Sequence, residues 1–212
     1  MVDQASSQTT SQTSNGVSVD GLPAWQLARR EQIVRAALGA LEEQEYERIQ
    51  IRDVAADAGV ALGTLYRYFS SKEHLYAAVL GEWAAFEKAR PRRSSRLAPA
   101  ERVRHRVHAV LRAFAAQPQF FKVHVLLQAS GDANARALLV RFNQVAHESL
   151  AAEFDLWPPD EAQDVSIMLW SIINSMVTQV VYQGGVMPQV YQVVDRFIDL
   201  LVPRMEELEH QV

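Results

Sequence analysis

Between Ile51 and Lys72 the chain reads Ile-Arg-Asp-Val-Ala-Ala-Asp-Ala-Gly-Val-Ala-Leu-Gly-Thr-Leu-Tyr-Arg-Tyr-Phe-Ser-Ser-Lys, and no other stretch restricts its folding as tightly. Ile51, Val54, Ala55 and Ala58 recur at helical spacing and define one buried stripe. Gly59 follows at the point where a helix stops on a residue that tolerates left-handed angles. A second short helix is expected from about Ala61 to Phe69. With Leu65 and Phe69 turned inward and Leu62 near the edge, the helical period sends Gly63, Thr64, Tyr66 and Arg67 outward. The segment is a helical hairpin whose outer face sets hydroxyl and guanidinium groups beside a residue without a side chain.

Two crossed helices of this kind fit a helix-turn-helix that lays its second helix in the DNA major groove. On geometry alone, an αα-hairpin with a solvated polar face fits equally well. The residues Gly59-Val60, Gly63-Thr64-Leu65-Tyr66, Tyr68-Phe69 and Ser71-Lys72-Glu73, in this order, resemble the DNA-binding signature of the TetR family of bacterial repressors. The resemblance implies that Gly63, Tyr68 and Lys72 join Thr64, Tyr66 and Arg67 at the DNA. Lys72 would hold a phosphate at the start of the fourth helix, and Arg52 would contribute from the first hairpin helix. It also implies a DNA contact at position 62, where Leu62 suits a thymine methyl, although the helical wheel turns it partly inward. Two positions depart from the family pattern. Gln50 stands where Thr or Ser commonly caps the first hairpin helix, and Ala61 stands where Ser is usual. Glutamine is the poorer cap, and Ala61 has no hydroxyl to offer a phosphate.

A chain of 212 residues exceeds one average domain and is short for two independent ones. It has no cysteine, so disulfides, thiolate metal sites and cysteine nucleophiles are excluded, and a reducing cytoplasm fits. Residues 1–21 contain no basic segment followed by an apolar run, and so do not read as a secretory signal. They are rich in Ser, Gln and Thr and are expected to be a disordered tail outside the fold. The net charge of −4 is not what a DNA-binding protein leads one to expect. Its distribution removes the objection: residues 1–96 hold twelve basic and twelve acidic side chains, the remainder nine and thirteen. A locally basic face built from Arg29, Arg30, Arg35, Arg52, Arg67 and Lys72 is compatible with that balance.

Alternating strand patterns are missing, and everything after Gly21 reads as helix, giving an all-α chain of about nine helices. The first is expected from about Ala24 to Gln44, with Ile33, Ala37 and Leu41 on one face and Tyr46 packing the corner into the hairpin. The fourth begins after Phe69 with Ser70 and Glu73 spaced as a capping box, and buries Leu75, Val79, Trp83 and Phe86. The run Lys88 to Arg96 is basic and is broken by Pro91, which marks a boundary and reads as a solvated linker. The expected division is a tail at 1–21, a helix-turn-helix domain at 22–90, a linker at 91–97 and a C-terminal domain at 98–212. Five further helices are expected over Ala98–Gln117, Pro118–Ala129, Asn134–Phe154, Pro159–Gln183 and Pro188–Glu209. Pro118, Pro159 and Pro188 sit near helix starts, where their fixed φ is suited.

From Val165 to Val194 there is no charged residue. The length suffices for a membrane span, but Ser166, Ser171, Asn174, Ser175, Thr178 and Gln179 make the stretch too polar for one, and no membrane association is expected. A soluble helix lacks charge all round when one face meets its own core and the other a partner subunit. Val165, Leu169, Ile172 and Met176 form one stripe, and Trp170, Ile173, Val177 and Val181 another. The second stripe, with Tyr191, Val194, Phe197, Ile198 and Leu201 of the last helix, is the expected four-helix homodimer interface. Dimerisation through the last two helices is also what the resemblance implies. An isologous dimer would place two recognition helices about 34 Å apart, on successive major grooves of palindromic double-stranded DNA.

Phe120, Phe121, His124, Leu127, Phe142, His147, Met168, Met176 and Tyr182 are as a group candidates to line a cavity for a hydrophobic small-molecule effector, although each alone reads better as ordinary core. The resemblance implies an inducer here. A similarity of the recognition segment to repressors of steroid and fatty-acid breakdown points to a sterol-derived or acyl-CoA ligand. Catalysis has little support. His105 and His108 share a helix face but have no accompanying carboxylate motif, and Arg104 and Arg106 oppose a cation. No Ser-His-Asp order, phosphate loop or HExxH motif is present, so neither an enzyme nor a cofactor or metal site is expected. The sequence reading is a homodimeric regulator, most simply a repressor. Its rivals are an activator, and a helical ligand-binding or protein-interaction dimer that has lost operator binding.

Overall fold

The computed structural model describes residues 23–89 and 97–211, without the side chains of 85–89. The expected tail at 1–21, nearly all of the linker at 91–97 and the Phe86 side chain lie outside the described residues. Among the described residues there are nine α-helices and no strand. They are α1 (Ala24–Glu43), α2 (Ile51–Asp57), α3 (Leu62–Tyr68), α4 (Lys72–Ala89), α5 (Pro99–Ala116), α6 (Pro118–Gln128), α7 (Ala133–Ala151), α8 (Pro159–Gln183) and α9 (Met187–Glu209). A single 3-10 turn, Tyr46–Arg48, joins α1 to the hairpin, where the sequence pattern had indicated only a corner.

Helix ends follow local chemistry. Pro99, Pro118 and Pro159 open their helices and Pro188 is second in α9, where a missing N–H costs nothing. Gly59 has φ +61°, and Gly184, which ends α8, has φ +74°. Neither Gln50 nor Ala61 makes a side-chain cap, so α2 and α3 are held by packing rather than by their ends. The capping box of α4 is displaced by one residue from its expected place. Ser71 Oγ accepts the His74 N–H at 2.9 Å, and His74 Nδ1 accepts the Ser70 N–H at 3.1 Å. Histidine thus supplies the return acceptor that glutamate provides in the usual box.

α4 packs against α1, α6 and α7, α5 against α9, and α8 against α6, α7 and α9. Ile33, Leu41, Leu65, Phe69, Leu75 and Val79 continue into Phe120, Phe121, Leu127, Leu169, Ile173 and Ile198 as one buried apolar cluster. α8 is long and apolar enough to cross a membrane by length and composition. Here Val165, Leu169, Trp170, Ile173 and Val177 are buried against its neighbours. Its Ser171 and Thr178 hydroxyls return to the carbonyls one turn back, at 2.8 and 2.7 Å.

Candidate functional site

The hairpin is placed by apolar contacts behind it. Val54, Ala55, Ala58, Leu65 and Phe69 are buried, and the Arg30 guanidinium stacks 5.0 Å from the centre of the Phe69 ring. Arg30 thereby joins the packing, while Arg29 and Arg35 remain exposed. The outer face carries Arg52, Leu62, Gly63, Tyr66 and Arg67, all exposed, with Thr64 half-buried. Leu62, left at the edge by the helical wheel, is 42% exposed and lies on this face beside Tyr66. A side chain built at Gly63 would meet nothing within 4 Å. Glycine is therefore not needed there for internal packing, and the face offers a close approach to something outside the chain.

Two residues expected at the DNA are turned inward. Tyr68 is only 9% exposed and belongs to the core. Lys72 Nζ donates to the carbonyls of Tyr46 and Ile49, the second at 2.8 Å, and lies 4.2 Å from the centre of the Tyr46 ring. Burial lowers its pKa, against the opposing pull of Glu47 and Glu73. The ammonium pins α4 to the turn before α2. The reason is local: where the 3-10 turn hands over to α2, the Ile49 carbonyl has no backbone donor and that of Tyr46 has only the Ile49 N–H at 3.3 Å, and the first residue of α4 supplies the rest.

A polar network joins the start of α4 to the start of α7. Ser70 Oγ donates to Asp132 Oδ2 at 2.8 Å and accepts from Asn134 Nδ2 at 3.1 Å. Asp132 is also the N-cap of α7, its Oδ1 accepting the Asn134 and Ala135 amides at 2.8 and 2.9 Å. Partial burial raises the Asp132 pKa, but the hydrogen bonds from Ala135, Ser70, Ser71 and Asn134 outweigh it and hold the carboxyl below its ordinary value. Burial and Arg30 lower the His74 pKa, with Asp132 opposing them. The hairpin and the C-terminal helices are thus joined by directional bonds as well as by apolar packing. A cleft of about 430 Å³ opens beside this junction, lined by Tyr46, Glu73, Leu126, Ser130 and Asp132 among others.

Of the candidate cavity residues, Phe120, Phe121, His124, Leu127 and Phe142 are brought together in the interior, with His147 and Met176 half-buried. Trp83 stacks on Phe120 with ring centres 5.0 Å apart, and the sequence reading had not placed it with this group. Met168 and Tyr182 do not join them. They are 51% and 48% exposed on the outer face of α8, because packing on α6 and α7 turns the opposite stripe inward.

The same choice of face corrects the expected dimer interface. Trp170, Ile173, Val177, Val194 and Ile198 are buried within the chain and are not available to a partner. Val181, Tyr191, Phe197 and Leu201 are half-buried. The apolar residues left outward on these helices are Ile167, Met168, Tyr182 and Leu200, the last 77% exposed. His108, one of the weak metal candidates, instead pairs with Asp195 at 2.8 Å.

Residues 33–79, spanning the second half of α1 to the middle of α4, match the family model described as bacterial regulatory proteins, tetR family. The chain is 31% identical over 140 residues to the HTH-type transcriptional repressor KstR of Mycobacterium tuberculosis, a match that takes in 65% of this chain and 64%, less than two thirds, of that relative. In structure it resembles a TetR transcriptional regulator from Rhodococcus sp. RHA1, with a TM-score of 0.71 at 23% identity over 84% of this chain and 97% of that one. It also resembles Thermus thermophilus FadR, a TetR-family repressor in complex with lauroyl-CoA, with a TM-score of 0.66 at 18% identity over 82% and 93% of the two chains. The hairpin with its open glycine face thus lies within the segment that matches the tetR-family model, and the all-helical body that carries it has the fold of solved TetR-type regulators.

Proposed function

We propose that this protein is a ligand-responsive transcriptional repressor that binds a palindromic operator as a homodimer in the cytoplasm. The observation that carries the reading is the exposed face of Leu62, Gly63, Tyr66 and Arg67, rigidly backed by a buried core and empty above Gly63. Such a face suits base edges and phosphates of the major groove, with Thr64 and Arg52 at its margin. Tyr68 and Lys72 act behind it as positioning residues. The operator-binding unit is residues 22–90 and the sensing and dimerising unit is 98–212. The outer face of α8 and α9, with Ile167, Met168, Phe197 and Leu200, supplies the two-fold contact. Ser171 and Ser175 on the same side of α8 allow close helix approach.

The effector is a hydrophobic small molecule received among Phe120, Phe121, His124, Leu127 and Phe142. The names of the similar proteins support a ligand of lipid character, since the Thermus FadR neighbour is a complex with lauroyl-CoA. Release follows if the effector prefers a geometry in which α4 and the Ser70–Asp132 junction hold the two hairpins out of register with the operator. Fluorescence anisotropy tests the reading, using duplex from upstream of the protein's own gene and a scrambled control at several salt concentrations. Saturable binding to the native duplex, weakened in Arg67→Ala, is the expected result. Equal, salt-abolished binding to both duplexes, repeated for fragments selected genome-wide, would remove operator binding.

A further inference from the structure

His124 is 1% exposed at the centre of the C-terminal half, among three aromatic rings. Its ring centre lies 5.4 Å from that of Phe142, 5.8 Å from Phe121 and 6.0 Å from Trp170. Its Nε2 is 3.1 Å from Asn143 Oδ1, which only accepts, so Nε2 carries the proton and Nδ1 presents a bare lone pair. That Nδ1 has no hydrogen-bond partner among the described residues. Asn174 Oδ1 is in the same condition one helical turn beyond Trp170, where the Asn174 amide nitrogen is spent on the Trp170 carbonyl at 3.0 Å. Two buried acceptors without donors are a cost that native interiors avoid, and here they sit beside apolar ring surface.

We infer that this interior takes an apolar ligand whose buried end is a neutral hydrogen-bond donor, a hydroxyl, and that His124 Nδ1 receives it. The inference rests on the effector-binding reading above and names the chemistry of that site. A carboxylate or phosphate end is excluded from the same position. Phe121, Phe142, Trp170 and Asn143 pack around the imidazole with no cation among them, and an anion beside the Nδ1 lone pair would be repelled and unpaired. Burial holds the His124 pKa down, so the imidazole supplies no compensating charge. The aromatic rings supply stacking area, and the acceptor supplies orientation.

Three probes of matched size, phenol, toluene and benzoate, test this on the full chain by long-range ¹H–¹⁵N correlation of the histidine side chains. The free protein should show His124 Nδ1 unprotonated. Phenol should move that nitrogen toward its hydrogen-bonded shift and bind roughly tenfold tighter than toluene, the worth of pairing one stranded acceptor. Benzoate should bind more weakly than either. In His124→Phe, which keeps a ring and loses the acceptor, phenol and toluene should bind alike; if that variant does not fold, the wild-type nitrogen shift decides alone. A protonated Nδ1, equal binding of phenol and toluene, benzoate as the tightest probe, or a phenol preference surviving in His124→Phe overturns the inference while leaving ligand binding intact. If none of the three perturbs the interior resonances at millimolar concentration, the effector-site reading falls and this inference with it.

Discussion

Replacing Gly63 by alanine separates the demands of the fold from the demands of a partner. In the free protein the added methyl meets nothing within 4 Å, and the residue lies inside α3 without a left-handed φ. Glycine within a helix costs about 0.5–1 kcal/mol relative to alanine, so Gly63→Ala should stabilise the chain by about that amount. For a protein of this length, the melting temperature should rise by about 1–4 °C. On the operator the same methyl stands between α3 and the base edges. Forcing a methyl into a close-packed contact costs about 1–3 kcal/mol, a loss of roughly 5- to 150-fold in affinity. Differential scanning fluorimetry and operator anisotropy on the same preparation read the two effects. A melting temperature that falls would mean that the glycine serves the fold after all. A melting temperature that rises with unchanged affinity would mean that this face approaches no DNA.

Lys72→Met keeps the aliphatic stem but strands the Ile49 carbonyl and leaves that of Tyr46 with the Ile49 N–H alone, and should destabilise the chain by about 1–3 kcal/mol. The slope of operator affinity against salt should stay unchanged; a decrease of about one would reinstate Lys72 as a phosphate contact. Leu200→Glu, at a side chain 77% exposed in the single chain, should leave the melting profile of the subunit intact and shift light scattering toward monomer, whereas Val194→Glu, buried within the chain, should unfold it. Stability should also fall as pH drops. His74 and His124 both have pKa values lowered by burial, so the unfolded chain takes up protons first, below its ordinary value of about 6.5. The stability these groups contribute is fully present above that value and is lost as pH descends through their folded pKa values. In His74→Gln, which keeps a side-chain acceptor, denaturant titrations between pH 7.5 and 5 should show a shallower decline, and an identical slope would remove His74 from the account.

The helical period of residues 51–69, Gly59 as the stop between two short helices and the prolines at helix starts are local properties, and they were legible as such. Left-handed φ and a missing N–H act on their own residue and its immediate neighbours, so spacing alone carries them. Of the outward set Gly63, Thr64, Tyr66 and Arg67, all but the half-buried Thr64 are exposed as the period places them, and the exposure of Leu62 was not legible because a position at the edge of a stripe depends on how the helix is rolled against α1 and α2. What the sequence by itself determined was an all-helical chain with a helix-turn-helix near its start and a charge-free stretch, Val165 to Val194, shared by its last two helices. Only the tertiary structure decided how α8 is rolled, so that Val165 and Leu169 of one stripe and Trp170, Ile173 and Val177 of the other are core while Met168 and Tyr182 are not. It also decided that Lys72 is spent on carbonyls of the preceding turn, and that Ser70, His74 and Asp132 meet. The physical reason is the same in each case. An amphipathic period fixes the angle between two faces of a helix but not which face a neighbour will cover, and a hydrogen bond between residues 62 positions apart leaves no periodic trace in the chain.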